Sequence, residues 1–279
     1  MQVVNTNVFS LNSQRSLTNS QSSMQTSLER LSSGLRINRA KDDAAGLAIS
    51  ERFTAQIRGL EQANRNANDG ISLLQTAEGA LSEVATGLQR MRELAVQAAN
   101  ATVGADDKNS LNQEFRALAN EITRNTDATK FNGTAVIGGT ASLDFQIGYE
   151  AGATNQITVN TVDVAGSAGI SAVLDVSAGG TATISTTAGA SGMIAALDTA
   201  LDTISGLRAD FGAAQNRLES VVRNNSNIIE NQSAARSRVL DADFAKETAN
   251  LTRTQILQQA GIAMLAQANQ LPQNALSLL

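Results

Sequence analysis

Two neighbouring carboxylate pairs, Asp42-Asp43 and Asp106-Asp107, are the residues whose type and spacing could do chemistry. Adjacent carboxylates can share a proton for acid–base work or hold a hard cation through oxygen ligands. Each pair, however, sits at the start of a helical run. There an aspartate caps free backbone N–H groups, and its charge complements the positive end of the helix. The chain has no histidine and no cysteine. The commonest general base, the commonest nucleophile–base pairs and zinc sites of the Cys/His kind are therefore absent. Disulfides are absent too. No catalytic, cofactor-binding or metal residue is expected, and no enzyme.

Other broad classes fall away on composition. The net charge is -5, so no basic field exists to hold a nucleic-acid backbone or an anionic membrane. Aromatics are 3% of the chain, with no tryptophan and a single tyrosine, Tyr149, which leaves no stacking platform for bases. Residues 1–20 lack the basic start and apolar run of a Sec-type signal peptide. No apolar run reaches the ~18 residues that a membrane span needs.

With chemistry set aside, the elements carry the information. The only proline is Pro272, so nearly the whole chain is free to form long helices. Leu17, Met24 and Leu31 recur every seven residues, and Leu28 and Leu35 interleave with them. Such spacing is a coiled-coil seam. After a turn at residues 38–43, a second run carries Leu60, Ala67, Leu74, Leu81, Leu88 and Ala95 at the same spacing. Read from Ala44 to Ala99, this helix is on the order of 80 Å long. Helices of that length are rare in globular domains and common in elongated assemblies. A shorter helix follows on Leu111, Phe115, Leu118 and Ile122.

The middle of the chain changes character. Leu143, Phe145, Ile147 and Tyr149 alternate with polar or small residues, and Ile157 and Val159 return after a loop. This predicts a β-hairpin at about 141–160. Residues 165–192 are rich in Gly, Ser, Thr and Ala, which predicts a small β-rich insert or flexible loop. Helical spacing resumes at Ile194, with Leu197, Ile204, Phe211 and Leu218 in one row. A last helix carries Leu257, Met264, Leu271 and Leu278, faced by the small row Thr254, Gly261, Ala268 and Ala275.

The expected fold class is mainly α. Long antiparallel coiled-coil helices come from both chain ends, around a small central β-hairpin and β-rich insert. Three regions follow: a terminal coiled coil (1–43 with 236–279), a helical bundle with the hairpin (44–160 with 192–235), and a short outer insert (161–191). The inner-bundle seam is Leu60, Leu74, Leu81, Leu88, Leu197, Ile204, Phe211 and Leu218. The terminal seam, which is also the expected subunit interface, is Leu17, Met24, Leu28, Leu31, Leu35, Leu257, Gly261, Met264, Ala268 and Leu271.

The ends suggest what the seams are for. No charged residue occurs in 254–279 or in 1–14. Six glutamines between Gln255 and Gln273 are too polar for a bilayer core, while solvated helices carry charges. A helix surrounded by other protein, or facing a water-filled lumen, fits both facts. An isolated two-helix seam is marginal, so the ends are expected to order on assembly.

Several runs resemble the signatures of bacterial flagellins. At the N-terminal side these are Leu31-Ser32-Ser33-Gly34-Leu35-Arg36-Ile37-Asn38, Ala40-Lys41-Asp42-Asp43-Ala44-Ala45-Gly46, Arg65-Asn66-Ala67-Asn68-Asp69-Gly70 and Arg92-Glu93-Leu94-Ala95-Val96-Gln97. At the other end they are Asp241-Ala242-Asp243, Gln255-Ile256-Leu257-Gln258-Gln259-Ala260-Gly261 and Leu265-Ala266-Gln267-Ala268-Asn269-Gln270. The resemblance covers about 1–160 and 194–279 and implies a short-insert member. It implies a homopolymer, the extracellular flagellar filament that serves as the propeller for swimming. It implies a subunit exported unfolded by a flagellar type III apparatus and assembled at the filament tip, with export-chaperone, cap and junction proteins as partners. A hook–filament junction protein is the nearest alternative. Some members are sensed by host innate-immune receptors, and Arg90, Leu94 and Glu114 fall on the matching positions.

Overall fold

The computed structural model describes residues 6–177 and 180–276, with side chains as far as Gln270. In chain order the elements are α1 (Val8–Ser33), α2 (Ala44–Ala99), α3 (Ala105–Ala128), β1 (Lys130–Phe131), β2 (Thr134–Ala135), β3 (Ser142–Gln146), β4 (Gln156–Asn160), α4 (Ile170–Leu174), α5 (Thr187–Leu240) and α6 (Phe244–Leu276). The fold is mainly helical, with long helices at both ends and a small antiparallel hairpin between them. The chain divides into two compact units, 1–57 with 230–279 and 58–229. The divisions fall inside α2 and α5, whereas the sequence suggests breaks at the turns near 43 and 236.

Local signals set the helix ends. Asn7 caps α1 by accepting the Ser10 N–H at 3.1 Å. Gly34 ends it in the left-handed region at φ 73, with its N–H on the Arg30 carbonyl, a conformation that costs residues with a Cβ. The Asp43 carboxylate accepts the Gly46 N–H at 2.8 Å and so caps the start of α2. Its neighbour Asp42 accepts the Asn38 and Arg39 N–H groups and closes the preceding turn. The Arg39 bond, above all, holds the Asp42 carboxyl below its ordinary pKa. Asp106 and Asp107 occupy the first turn of α3.

The 58–229 unit is built around α2. Leu60, Leu74, Leu81 and Leu88 are all buried, as are Leu197, Ile204, Phe211 and Leu218 of α5. Phe115, Ala119 and Ile122 of α3 join the same core. Burying each large side chain contributes about 1.5–3 kcal/mol, and this unit holds the dense packing of the chain.

The hairpin pairs Leu143 with Val159 and Phe145 with Ile157. Ile157 and Val159 are buried against the helices, while Leu143 and Phe145 are half-buried. On the exposed face Thr158 Oγ1 donates to Asp144 Oδ1 at 2.6 Å. Two asparagines fasten the hairpin's far end: Asn66 Nδ2 donates to the Gln146 carbonyl at 3.0 Å, and Asn225 Nδ2 to the Ile147 carbonyl at 2.9 Å. A second, two-residue pairing, β1 with β2, closes over an Asn132-Gly133 turn whose φ values are 47 and 83. Asn-Gly is the residue pair that such a turn favours.

The 161–191 segment departs from expectation. Among its described residues there is no strand beyond a single bridge at Asp163, and the segment is not a separate outer part. It belongs to the 58–229 unit and contains the short helix α4. Val164, Ile170, Val173, Ala182 and Ile184 are buried in the common core. Polar bonds from α3 fix the segment. Asn112 Oδ1 accepts the Ile184 N–H at 3.0 Å, Lys108 Nζ donates to Thr187 Oγ1 at 2.7 Å, and Arg116 donates to the Val176 carbonyl. A few well-spaced apolar residues suffice to dock the insert, even though its average composition reads as loop.

Candidate assembly surface

Helices α1 and α6 run antiparallel in the unit formed by the two chain ends. At one end Asn7 Nδ2 donates to the Ala268 carbonyl at 2.7 Å. At the other, the chain after α1 pairs with the chain before α6. The Arg36 N–H meets the Leu240 carbonyl at 2.7 Å, the Ala242 N–H meets the Gly34 carbonyl at 2.9 Å, and Leu35 faces Asp241 in a β-bridge. The Arg36 guanidinium adds a bond to the Val239 carbonyl at 2.6 Å. Asp243 caps α6 by accepting the Ala245 and Lys246 N–H groups.

Between those ends, the faces in contact differ from the expected rows. On α1 the inward positions are Ser10, Ser13, Leu17, Ser20, Met24, Ser27 and Leu31. On α6 they are Glu247, Leu251, Thr254, Gln258, Gly261, Leu265 and Ala268. Leu17 Cδ1 reaches to 3.5 Å from where a Cβ on Gly261 would lie. Among the expected seam residues, Leu17, Met24, Leu31, Gly261 and Ala268 therefore lie on inward faces. Others do not. Leu28, Leu257 and Met264 are 49%, 51% and 63% exposed and point away from the partner helix. Leu35 lies beyond the end of α1, in the β-bridge. The Leu271 side chain lies outside the described residues. The inward faces alternate small residues (Ser13, Ser20, Ser27, Gly261) with Leu17, Met24, Leu31, Leu251 and Leu265, so each helix buries one set of large apolar residues and leaves Leu28, Leu257 and Met264 outside.

Other large apolar residues along the two helices are exposed as well. Val8, Phe9 and Leu11 of α1 are exposed, as are Phe244, Ile256 and Ile262 of α6. Large apolar residues clustered on exposed helix faces mark contact with other protein. From Thr254 onward α6 carries no charge that would oppose such contact.

The three positions matched to receptor contact fare differently. Arg90 pairs with Glu114 at 2.8 Å and with Glu93 at 2.9 Å, on the exposed surface. Those partners, Glu114 first, raise the Arg90 pKa. Leu94 is 1% exposed and belongs to the core, so its side chain is not available for surface contact. Asp42 and Asp43 serve as turn acceptor and cap, whereas Asp106 and Asp107 only place their charge in the first turn of α3, which has no side-chain cap; among the described residues no group of ligands is placed to hold a metal ion. No described helix is long and apolar enough to cross a membrane.

Comparison with known proteins adds an independent line. Residues 4–142 match the family description of the bacterial flagellin N-terminal helical region, and residues 194–279 that of the bacterial flagellin C-terminal helical region. The chain is 48% identical to a flagellin of Halalkalibacterium halodurans and 46% identical to one of Bacillus subtilis, each over 99% of both chains. It is 43% identical to the flagellar filament 33 kDa core protein of Treponema phagedenis, again over 99% of both. Among solved structures it resembles Bacillus cereus flagellin, with a TM-score of 0.50 at 33% identity over 58% of this chain and 88% of that one.

Proposed function

The chain belongs to the bacterial flagellin family, and on that premise we propose that it is the structural subunit of the flagellar filament, polymerising with copies of itself outside the cell. The observation that carries this reading is the apolar surface of the terminal helices, which includes Phe9, Leu28, Leu257 and Met264, all left exposed among the described residues. Full burial of one such side chain is worth about 1.5–3 kcal/mol. A polymer that covers them on every subunit gains that repeatedly. The relatives are named as flagellins and a filament core protein and match over nearly their whole length, which favours the bulk subunit over a junction protein.

Finer parts of the proposal rest on the resemblance. The chain is exported unfolded through the flagellar apparatus and added at the filament tip. An export chaperone, a cap and junction proteins attend it. The exposed Arg90–Glu114 pair is the part of the receptor-matched surface that a host innate-immune receptor would meet, with Leu94 acting only beneath it. In the unpolymerised chain the two ends are the protease-sensitive part and the 58–229 unit the resistant part.

Electron microscopy of the purified, concentrated protein tests the central reading. Long filaments of uniform diameter are expected. A chain that stays monomeric across concentrations and precipitants that polymerise its relatives sinks it.

A further inference from the structure

Among the described residues, Glu247 is the one buried charged side chain of the α1–α6 pair, at 7% exposure. Its Oε1 accepts the Ser27 hydroxyl at 2.6 Å, and Ser27 is itself buried. Its Oε2 lies 3.8 Å from Arg30 Nη1. A buried carboxylate stripped of its partners is costly, so such a group selects the arrangement that supplies them. Apolar packing specifies the register only in part: a one-heptad slip would exchange Gln258 with Leu251 or Leu265 in the second inward row of α6, while the other row is nearly indifferent. Along α6, the inward positions Thr254, Gly261 and Ala268 are all small and repeat every seven residues. Along α1, Leu17, Met24 and Leu31 repeat at the same interval. A slip of one heptad would set Leu17 against Ala268 or Thr254 in place of Gly261, with similar contacts.

We infer that Glu247, through Ser27 and Arg30, sets the register of the two terminal helices. In one slipped register Glu247 meets Ser20 and Ser23, with no cation near. In the other it passes Gly34, beyond the end of α1. Both take the carboxylate away from Ser27 and Arg30. A single buried polar residue that fixes register is an established device of coiled coils. The backbone bonds between residues 34–36 and 240–242 are the competing anchor, and the test separates the two. The inference goes beyond the filament reading and does not depend on it.

The natural chain has no cysteine, so engineered pairs report cleanly. L17C/G261C reports the native register, and L17C/A268C reports a one-heptad slip. Each pair is oxidised mildly in the full-length chain, at a concentration where circular dichroism shows the terminal helices formed, and intramolecular disulfide is read on a non-reducing gel. With Glu247 present, 17–261 links and 17–268 stays at background. With E247L, the 17–268 yield rises on the order of tenfold while helicity holds, because an apolar side chain has no preferred partner. The exchanged pair R30E/E247R returns 17–268 to background. If 17–268 and the pair that reports the opposite slip, L17C/T254C, both stay at background in E247L, the backbone bonds alone set register and the inference is overturned. It is equally overturned if E247L loses 17–261 together with helicity, or if the exchanged pair fails to restore selectivity.

Discussion

Leu81 and Met264 are both large apolar residues on heptad rows, yet they have opposite surroundings. Leu81 is fully buried in the 58–229 unit, and Met264 is 63% exposed. Leu81→Ala should therefore lower the stability of that unit by about 2–5 kcal/mol, the cost of a cavity in a packed core, as read by chemical denaturation. Met264→Glu should leave monomer stability nearly unchanged, since its charge can stay in water. It should still block polymerisation, because burying an unpaired charge between subunits is costly. Sedimentation separates the two effects, and normal filaments from Met264→Glu would place Met264 outside the subunit interface. Arg90→Ala removes only exposed ion pairs. It should leave the thermal melt of the monomer nearly unchanged, because exposed ion pairs are screened by water.

At the scale of elements, Gly34 makes the sharpest prediction. Its φ of 73 ends α1 just before the chain pairs with residues 240–242. Gly34→Ala should cost about 1–2 kcal/mol, the left-handed penalty for a residue with a Cβ. The loss should appear as faster hydrogen exchange in α1 with the 58–229 unit unaffected. The elements also differ in how far the sequence reveals them. The limits of α2 are legible because apolar spacing, a capping aspartate and a following Gly104 loop all agree. The hairpin is legible because Leu143, Phe145, Ile157 and Val159 alternate at the strand period. The insert is not, because Ile170, Val173 and Ile184 are few among small residues, and only the fold shows α3 reaching over to fix them. The contact faces of α1 and α6 are half legible. Periodicity finds Leu17, Met24 and Leu31, but it cannot see that the second row is Ser13, Ser20 and Ser27. A row of small polar residues carries no hydrophobic signal, and close backbone approach is what gives it value. The clamps Asn66 and Asn225 are hidden for the same reason: nothing in their spacing announces a hydrogen bond to a distant carbonyl.

At the scale of the whole molecule, two kinds of surface divide the labour. The 58–229 unit satisfies its apolar rows within the chain and is expected to fold without partners. The unit formed by the chain ends has an inner seam that alternates small residues with Leu17, Met24, Leu31, Leu251 and Leu265, and it exposes Phe9, Leu28, Leu257 and Met264, an arrangement that leaves much of its burial to other copies. Folding of the ends and assembly then become coupled steps, and stability of the ends depends on subunit concentration. The central claim is that the terminal helices carry assembly, and deletion of residues 257–279 tests it most directly. The truncated chain is examined by electron microscopy for filaments and by circular dichroism for the 58–229 unit. No filaments should form at any concentration, while a cooperative helical melt is retained. Filaments of ordinary diameter from the truncated chain would contradict that claim.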